Sequence, residues 1–315
     1  DTVKDPKWSN MGHEMIAFTH YYIVENGESF YLHAGESVPI ENYEVPRVRH
    51  NYKETSDDKA DWNRLMNAIA NGISSGEMTK VVSSREVEFT SETPYNVSSI
   101  LANLVDNNPN CFIFGYEKDG RTFVGASPEI LVRHRGSEIL SYALAGTAPK
   151  DGPNGWTKEQ LLTNTKNIVE HNIVRDRIVN TMKQITPDVT VGETGIMELS
   201  HLYHLRTIIT AKDSTKSLVE WAKLLHPTPA LGGEPRDKAL ALLQEYESHE
   251  RGMYAAPFGF MKDMGDGIVV VAIRSALIMD NVLYAYAGCG VVADSDADEE
   301  YAETNNKMRT ILDAL

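Results

Sequence analysis

The sequence predicts one α+β domain over residues 1–315 with mostly antiparallel sheet, on three observations. Strand-like and helix-like segments neither alternate strictly nor separate into two halves. The strand-like runs are short and alternating, with Gly-containing turns between them. Pro/Gly-rich linkers that would divide the chain are missing, and 315 residues suffice for one large core.

In chain order, residues 13–24 and 29–33 are rich in Tyr, Phe, Ile and Thr and flank Asn26-Gly27, which signals a hairpin. Trp62, Leu65, Met66, Ile69 and Ile73 recur at helical spacing, and Gly76 closes that helix. A strand is expected over 80–89 and a helix over 96–105. Alternating runs at 111–116, 121–125, 130–133 and 139–144 read as antiparallel strands. Thr157 and Gln160 form a capping box for one long helix, whose apolar positions include Leu161, Ile168, Val174, Ile178 and Met182. Helices over 217–225 and 236–246, strands over 259–262, 268–279 and 282–287, and a helix from about 298 complete the reading.

Acidic residues outnumber basic ones 45 to 30, a formal net charge of −15, which argues against nucleic acid and against an anionic membrane as partner. Cys111 and Cys289 have neither CxxC spacing nor His-rich company, so no disulfide framework or structural zinc is expected, and a reducing cytoplasm is the expected compartment. No apolar run approaches a membrane span, and residues 1–4 do not open a signal peptide; a start without Met is what a trimmed fragment would show. The sequon Asn96-Val-Ser98 has no consequence in that compartment.

The acidic stretch 294–303 fails as an EF-hand, with Glu299 where Gly is needed and Asn305 where Glu is needed. On a helix, Glu300, Glu303 and Lys307 share one face; a solvated helix start is the plainer reading, and a hard cation the sharper one. Glu170-His171 sits inside an apolar pattern, so Glu170 needs a partner: a salt bridge, or with a carboxylate from another helix, Mg²⁺. Lys80 precedes Val81 and Val82, and apolar surroundings would free its amine as a general base, where most such lysines reach water instead. Ser127-Pro-Glu129 puts a carboxyl at a strand start, suited to a general acid or simply a surface turn. The glycines of 145–147, 231–233 and 288–290 are turn residues or backbone donors to a carboxylate; none makes a P-loop, a dinucleotide fingerprint or a GxSxG elbow.

Read in order, Lys80-Val-Val-Ser-Ser-Arg85, Gly125-Ala-Ser-Pro-Glu129, Ala145-Gly-Thr147, Glu170-His171, His204-Leu205, the segment 225–233, Glu250-Arg-Gly-Met-Tyr254, Ala272-Ile-Arg-Ser275, Ala287-Gly-Cys-Gly290 and the segment 300–307 resemble the chorismate-utilising enzymes. That family includes isochorismate, salicylate, anthranilate and aminodeoxychorismate synthases. The resemblance runs from about residue 80 onward; residues 1–75 look like the family's variable part, and complete members carry a further N-terminal stretch.

The resemblance implies two large, mostly antiparallel sheets packed as a core with helices outside, and a Mg²⁺-dependent reaction on chorismate. It implies that Glu170 and Glu303 hold Mg²⁺, with Glu300 a possible third ligand. Arg274 and Tyr254 would grip the pyruvyl carboxylate with amides at Gly146, Gly288 and Gly290, and Lys307 would lie near the ring carboxylate. Thr147, His204 and Ala230 complete the implied substrate contacts. Lys80 stands where water-adding members carry their base, Ala145 where some amine-adding members carry a nucleophilic Lys, and Ala230 where anthranilate and salicylate synthases have Thr. Together these imply isochorismate synthase, with Lys80 as base toward water at ring C2 and protonated Glu129 as acid toward the C4 hydroxyl. The alternatives are salicylate synthase, which adds pyruvate elimination, and a non-catalytic chorismate-binding relative. Water as nucleophile calls for no glutaminase subunit, and the product would serve menaquinone or siderophore synthesis equally. The chain departs from the family pattern at Asn167, where a second acid is usual, and at Ser83-Ser84, Cys289 and Ala297.

Overall fold

A computed structural model describes residues 4–12, 14–25, 28–39, 43–151, 155–262 and 265–315. Period-two burial and helical stripes lay the chain out as β1 (His20–Glu25), β2 (Glu28–His33), β3 (Tyr52–Glu54), α1 (Lys59–Ser74), β4 (Lys80–Ser91), α2 (Val97–Asn107), β5 (Phe112–Lys118), β6 (Arg121–Ser127), β7 (Ile130–Arg135) and β8 (Glu138–Pro149). After these come α3 (Lys158–Thr163), α4 (Thr165–Lys183), β9 (Val189–Glu198), β10 (Leu202–Lys212), α5 (Leu218–Leu225), β11 (Gly233–Glu234) and α6 (Arg236–Tyr246). The chain closes with β12 (Pro257–Met261), β13 (Gly267–Val271), β14 (Ser275–Met279), β15 (Val282–Val291) and α7 (Ala297–Leu312).

Two large antiparallel sheets result. One has the order β12-β13-β7-β8-β10-β9; the other runs β11-β4-β15-β14-β6-β5, with β3 also on β4. Strands of the second sheet alternate between two apolar surfaces. Val124, Ala276, Ile278, Leu283 and Ala285 face α2 and α7 through Ile100, Leu104, Met308 and Ile311, while Phe123, Leu277 and Tyr286 join a core that includes Leu131, Val132 and Val271 of the first sheet. Helices α4 and α5 pack on β7, β8, β10 and β13. With the sheets packed on each other and helices on their outer faces, the apolar rows of both are buried.

The sheets exchange strands at two adjacent crossings, and these position the site. Pro128 and Glu129 carry the chain from β6 to β7, and residues 272–274 carry it back from β13 to β14. The crossings are tied together: Ser127 Oγ donates to Val271 O at 2.6 Å, Val271 N to Glu129 O at 3.1 Å, and Ala126 N to Arg274 O at 3.0 Å.

The helix expected from Thr157 to Met182 is in fact two. Asn164 is extended (φ −76°, ψ 118°) and its side chain accepts from Asn167 N, so it ends α3 and caps α4. The strand expected over 268–279 is likewise two, broken where Arg274 takes a left-handed φ of +53°. Strands β9 and β10 fill a stretch to which the sequence reading assigns no element. The expected hairpin is β1–β2, with Glu25 opposite Glu28, and starts at His20, later than predicted; Asn26-Gly27 and His13 lie outside the described residues. Among the described residues no helix is long and apolar enough to cross a membrane.

Candidate active site

A cleft of about 630 Å³ opens beside the crossings. It is lined by Lys80, Glu129, Thr147, Glu170, His204, Ala230, Tyr254, Arg274, Gly288, Gly290 and Lys307, together with Val82, Arg251 and Cys289. Eleven of the predicted site residues therefore share one cavity. Gly146, Glu300 and Glu303 are not in its lining.

Its wall is the end of β15. Strand β14 accompanies β15 only up to the Ser275–Tyr286 pair, so beyond that point β15 is paired with β4 alone. The exposed flank of residues 287–291 meets α7, from which Lys307 Nζ donates to Gly288 O at 2.8 Å. In an antiparallel strand the N–H and C=O of one residue point the same way, so the Gly288 amide lies on this same flank, away from β4.

Glu129 stands on the first crossing, 2% exposed, and its Oε1 is buried without a hydrogen-bond partner. Burial raises its pKa to about 8, although the charges of Lys80, Lys307 and Arg274 pull it down. At neutral pH it holds a proton.

Arg274 stands on the second crossing. Its Nη2 lies 2.7 Å from His204 Nε2. A guanidinium only donates, so Nε2 accepts and Nδ1 carries the imidazole proton, which it donates to Thr147 Oγ1 at 3.0 Å. Burial, and then the charge of Arg274, hold His204 well below its ordinary pKa, so it is a neutral relay that aims the arginine. Arg274 Nη1 is buried and unpartnered, a donor left for a ligand. Nearby, Tyr254 stacks on Tyr286 with centroids 5.5 Å apart. A Cβ on Gly288 would lie 2.8 Å from the Tyr254 hydroxyl oxygen, so the glycine lets that hydroxyl reach the strand.

Thr147 and His204 face each other because of a bulge. The register of β8 against β10 skips Gly146, whose φ is +79°, and a Cβ there would be 2.8 Å from Asn167 O. Gly146 thus serves close approach of β8 to α4. Asn167, standing where the resemblance implies a second acid, accepts from Thr147 N at 3.1 Å and braces the bulge.

Three carboxylates gather where α4 meets α7, each held by a lysine. Glu170 Oε1 is 2.9 Å from Lys80 Nζ; Glu303 Oε1 is 2.6 Å from Lys307 Nζ; Glu300 pairs with Lys166. Burial alone would raise the pKa of Glu170, but the charge of Lys80 brings it below its ordinary value. Burial, then repulsion from Glu303, pushes Glu300 up to about 7 in spite of Lys166. The Lys80–Glu170 pair is close but poorly aligned, and Lys80 Nζ makes no well-formed hydrogen bond. It passes directly over Gly290, where a Cβ would stand 2.1 Å from Glu170 Oε1 and 2.7 Å from Lys80 Cε.

Among the described residues no three His, Cys, Asp or Glu side chains converge as a ready-made metal cage. The cluster still fits a hard cation. Its donors are all carboxylate oxygens, burial and the charge of Glu303 push Glu300 up to about 7 even beside Lys166, and Mg²⁺ needs only one or two protein carboxylates beside water and substrate oxygens.

Two predicted features have structural roles. His171, pushed down to about 4 mainly by burial, contacts Ala145 O at 3.1 Å and Thr207 Oγ1 at 2.7 Å and is core. Cys289 is buried 3.3 Å from Ser83 Oγ, and burial pushes its thiol well up, so it is unreactive. Arg251 lines the cleft without a role in the sequence reading; its only signal is its place in the segment ending at Tyr254.

The family model for chorismate binding enzymes matches residues 28–315. Isochorismate synthase MenF of Bacillus subtilis is 36% identical over 264 residues, which cover 82% of this chain and 56% of that protein. The solved structure of DhbC from Bacillus anthracis has a TM-score of 0.80 at 28% identity, covering 91% of this chain and 77% of that one. MenF, the menaquinone-specific isochorismate synthase of Escherichia coli, has a TM-score of 0.74 at 30% identity, covering 87% and 65%. The chain spans little more than half the length of the Bacillus subtilis relative.

Proposed function

Because the chain belongs to the family of chorismate binding enzymes, we propose that its cleft isomerises chorismate to isochorismate, water adding at ring C2 as the C4 hydroxyl leaves. The observation that carries the reading is that one cleft holds a fully buried lysine, Lys80, and a fully buried carboxyl, Glu129, that keeps its proton at neutral pH. A base and an acid with opposed requirements are what this substitution needs.

Chorismate is a dicarboxylate. Arg274 Nη1, with no partner among the described residues, is the natural donor to its pyruvyl carboxylate, and Tyr254 borders the same space. Glu170 and Glu303, with Glu300 alongside, would hold Mg²⁺, which when bound supplies the positive charge that neutralises the ring carboxylate. Lys307, now paired with Glu303, would turn to the same carboxylate.

Lys80 takes a proton from water as the water oxygen bonds to C2. Glu129 gives its proton to the C4 oxygen, which departs as water, and the ring double bonds shift between the two carbons. One water enters and one leaves, so the formula is unchanged. For Lys80 to act as base, Glu170 must release it, which it does on turning to the cation. No ammonia-supplying subunit is required.

The test is incubation with chorismate and Mg²⁺, with products separated by chromatography. Isochorismate without stoichiometric pyruvate supports the proposal. Pyruvate released in step with fluorescent salicylate replaces it with the salicylate synthase reading, against which Ala230 stands. Chorismate binding without turnover replaces it with a binding protein.

A further inference from the structure

We propose that Arg251 is a positioning residue that holds the strand of Lys80, the turn of Ala230 and the turn of Tyr254 in one fixed geometry without itself binding substrate. The proposal rests on the functional reading above. An arginine lining a cleft for a dianion invites the opposite assignment, as a carboxylate ligand, and its hydrogen bonds decide against that.

Arg251 Nε donates to Glu247 Oε2 at 2.9 Å and Nη2 to Glu247 Oε1 at 2.5 Å. Nη1 donates to Leu231 O and Nη2 to Val82 O, each at 2.7 Å. Four of the five guanidinium N–H groups are therefore used within the chain. Arg274 differs, with Nη1 buried and unpartnered.

Two of these partners sit beside residues that line the cleft. Val82 is two positions from Lys80 on β4, so the two share a face, and both line the cleft. Leu231 follows Ala230. The carbonyl of Arg251 accepts from Tyr254 N at 2.8 Å, closing the turn that presents the tyrosine. Glu247 in addition accepts from Ser84 N at 3.0 Å and Ser84 Oγ at 2.8 Å, so β4 is gripped at two points. The Glu247 side chain is 7% exposed and that of Arg251 20%, so both ends of the pair are largely sheltered from water.

Lysine preserves the charge toward Glu247 but not a fork that reaches two carbonyls as well. A displacement of about 1 Å in reacting groups is enough for a loss on the order of 10²-fold in rate. The experiment measures kcat and KM for isochorismate formation, and chorismate Kd by calorimetry, for the chain as it stands, for Arg251→Lys and for Glu247→Gln. Wild-type turnover tests the functional reading, and the ratio of variant to wild type tests this one.

The expected result is kcat down about 100-fold for Arg251→Lys and about tenfold for Glu247→Gln, with KM and Kd within about threefold, because the Arg274 pocket is untouched. If Arg251→Lys does not fold, Glu247→Gln decides alone, since it keeps an acceptor for Ser84 and for Arg251. Unchanged kcat in the folded variants, or Kd weakened tenfold with kcat retained, overturns the proposal; the latter result would make Arg251 a substrate ligand.

Discussion

Lys80 Nζ lies 2.9 Å from Glu170 Oε1, with side chains 0% and 10% exposed. The group proposed as base is thus held by a group proposed as cation ligand, across the one residue of β15, Gly290, that leaves room for both. Charge balance in the cleft follows from this pair: when Glu170 turns to a cation, Lys80 loses its counter-ion.

Lys80→Ala is expected to lower isochorismate formation by about 10²- to 10⁴-fold through loss of the base. It also strands a buried carboxylate, and removing one partner of a buried pair destabilises by about 3–5 kcal/mol. Urea unfolding without Mg²⁺ reads the second effect. Near-normal turnover in this variant removes Lys80 from the mechanism.

Glu129 sets a pH dependence. Its pKa rises from an ordinary 4.5 to about 8 on folding, so between those values the folded chain binds more protons than the unfolded one. Its contribution to stability is fully present below about 4.5 and is lost as pH rises through about 8. Acid catalysis follows the same group, so kcat/KM is expected to fall on an alkaline limb near pH 8. Glu129→Gln removes that part of the stability slope and lowers turnover about 10²- to 10⁴-fold. A variant that retains the wild-type slope contradicts the assignment.

Gly290→Ala is expected to abolish most activity and to weaken Mg²⁺ binding, because its Cβ would stand 2.1 Å from Glu170 Oε1 and 2.7 Å from Lys80 Cε. Gly195→Ala is the control, with nothing within 4 Å of the added carbon. Calorimetric titration with Mg²⁺ and steady-state assays on both variants separate the two.

Arg274→Lys is expected to raise KM and Kd for chorismate about 10- to 150-fold, the equivalent of about 1.5–3 kcal/mol for a hydrogen bond to a charged group. The shorter, non-planar head cannot both meet His204 and present a second donor. Unchanged affinity would move the pyruvyl carboxylate elsewhere in the cleft.

Much of this site is legible in the sequence because its chemistry lies in short contiguous segments. Lys80, Glu129, Glu170, Arg274 and Lys307 each sit in a motif and all reach one cleft. What the motifs do not carry is where strands change sheets. Residues 268–279 form one apolar run, and nothing in its pattern marks the left-handed Arg274 that divides β13 from β14. Within 189–212 only β9 escapes for a physical reason, since it is largely exposed along its length and leaves no alternation to detect, whereas β10 alternates between buried and half-buried positions and is legible. Asn164 breaks the predicted long helix by taking the role of a cap, which its neighbours on either side do not announce. The role of Arg251 is hidden because, beyond its local pair with Glu247, it reaches Val82 O and Leu231 O, backbone atoms of other segments.

The most direct test of the central claim is turnover of chorismate with Mg²⁺ in H₂¹⁸O, followed by mass spectrometry of the product. Attack of water at C2, with Lys80 as base and loss of the C4 hydroxyl, predicts isochorismate carrying one ¹⁸O at C2. Isochorismate formed without the label, or an absence of isochorismate in the presence of Mg²⁺, contradicts the account.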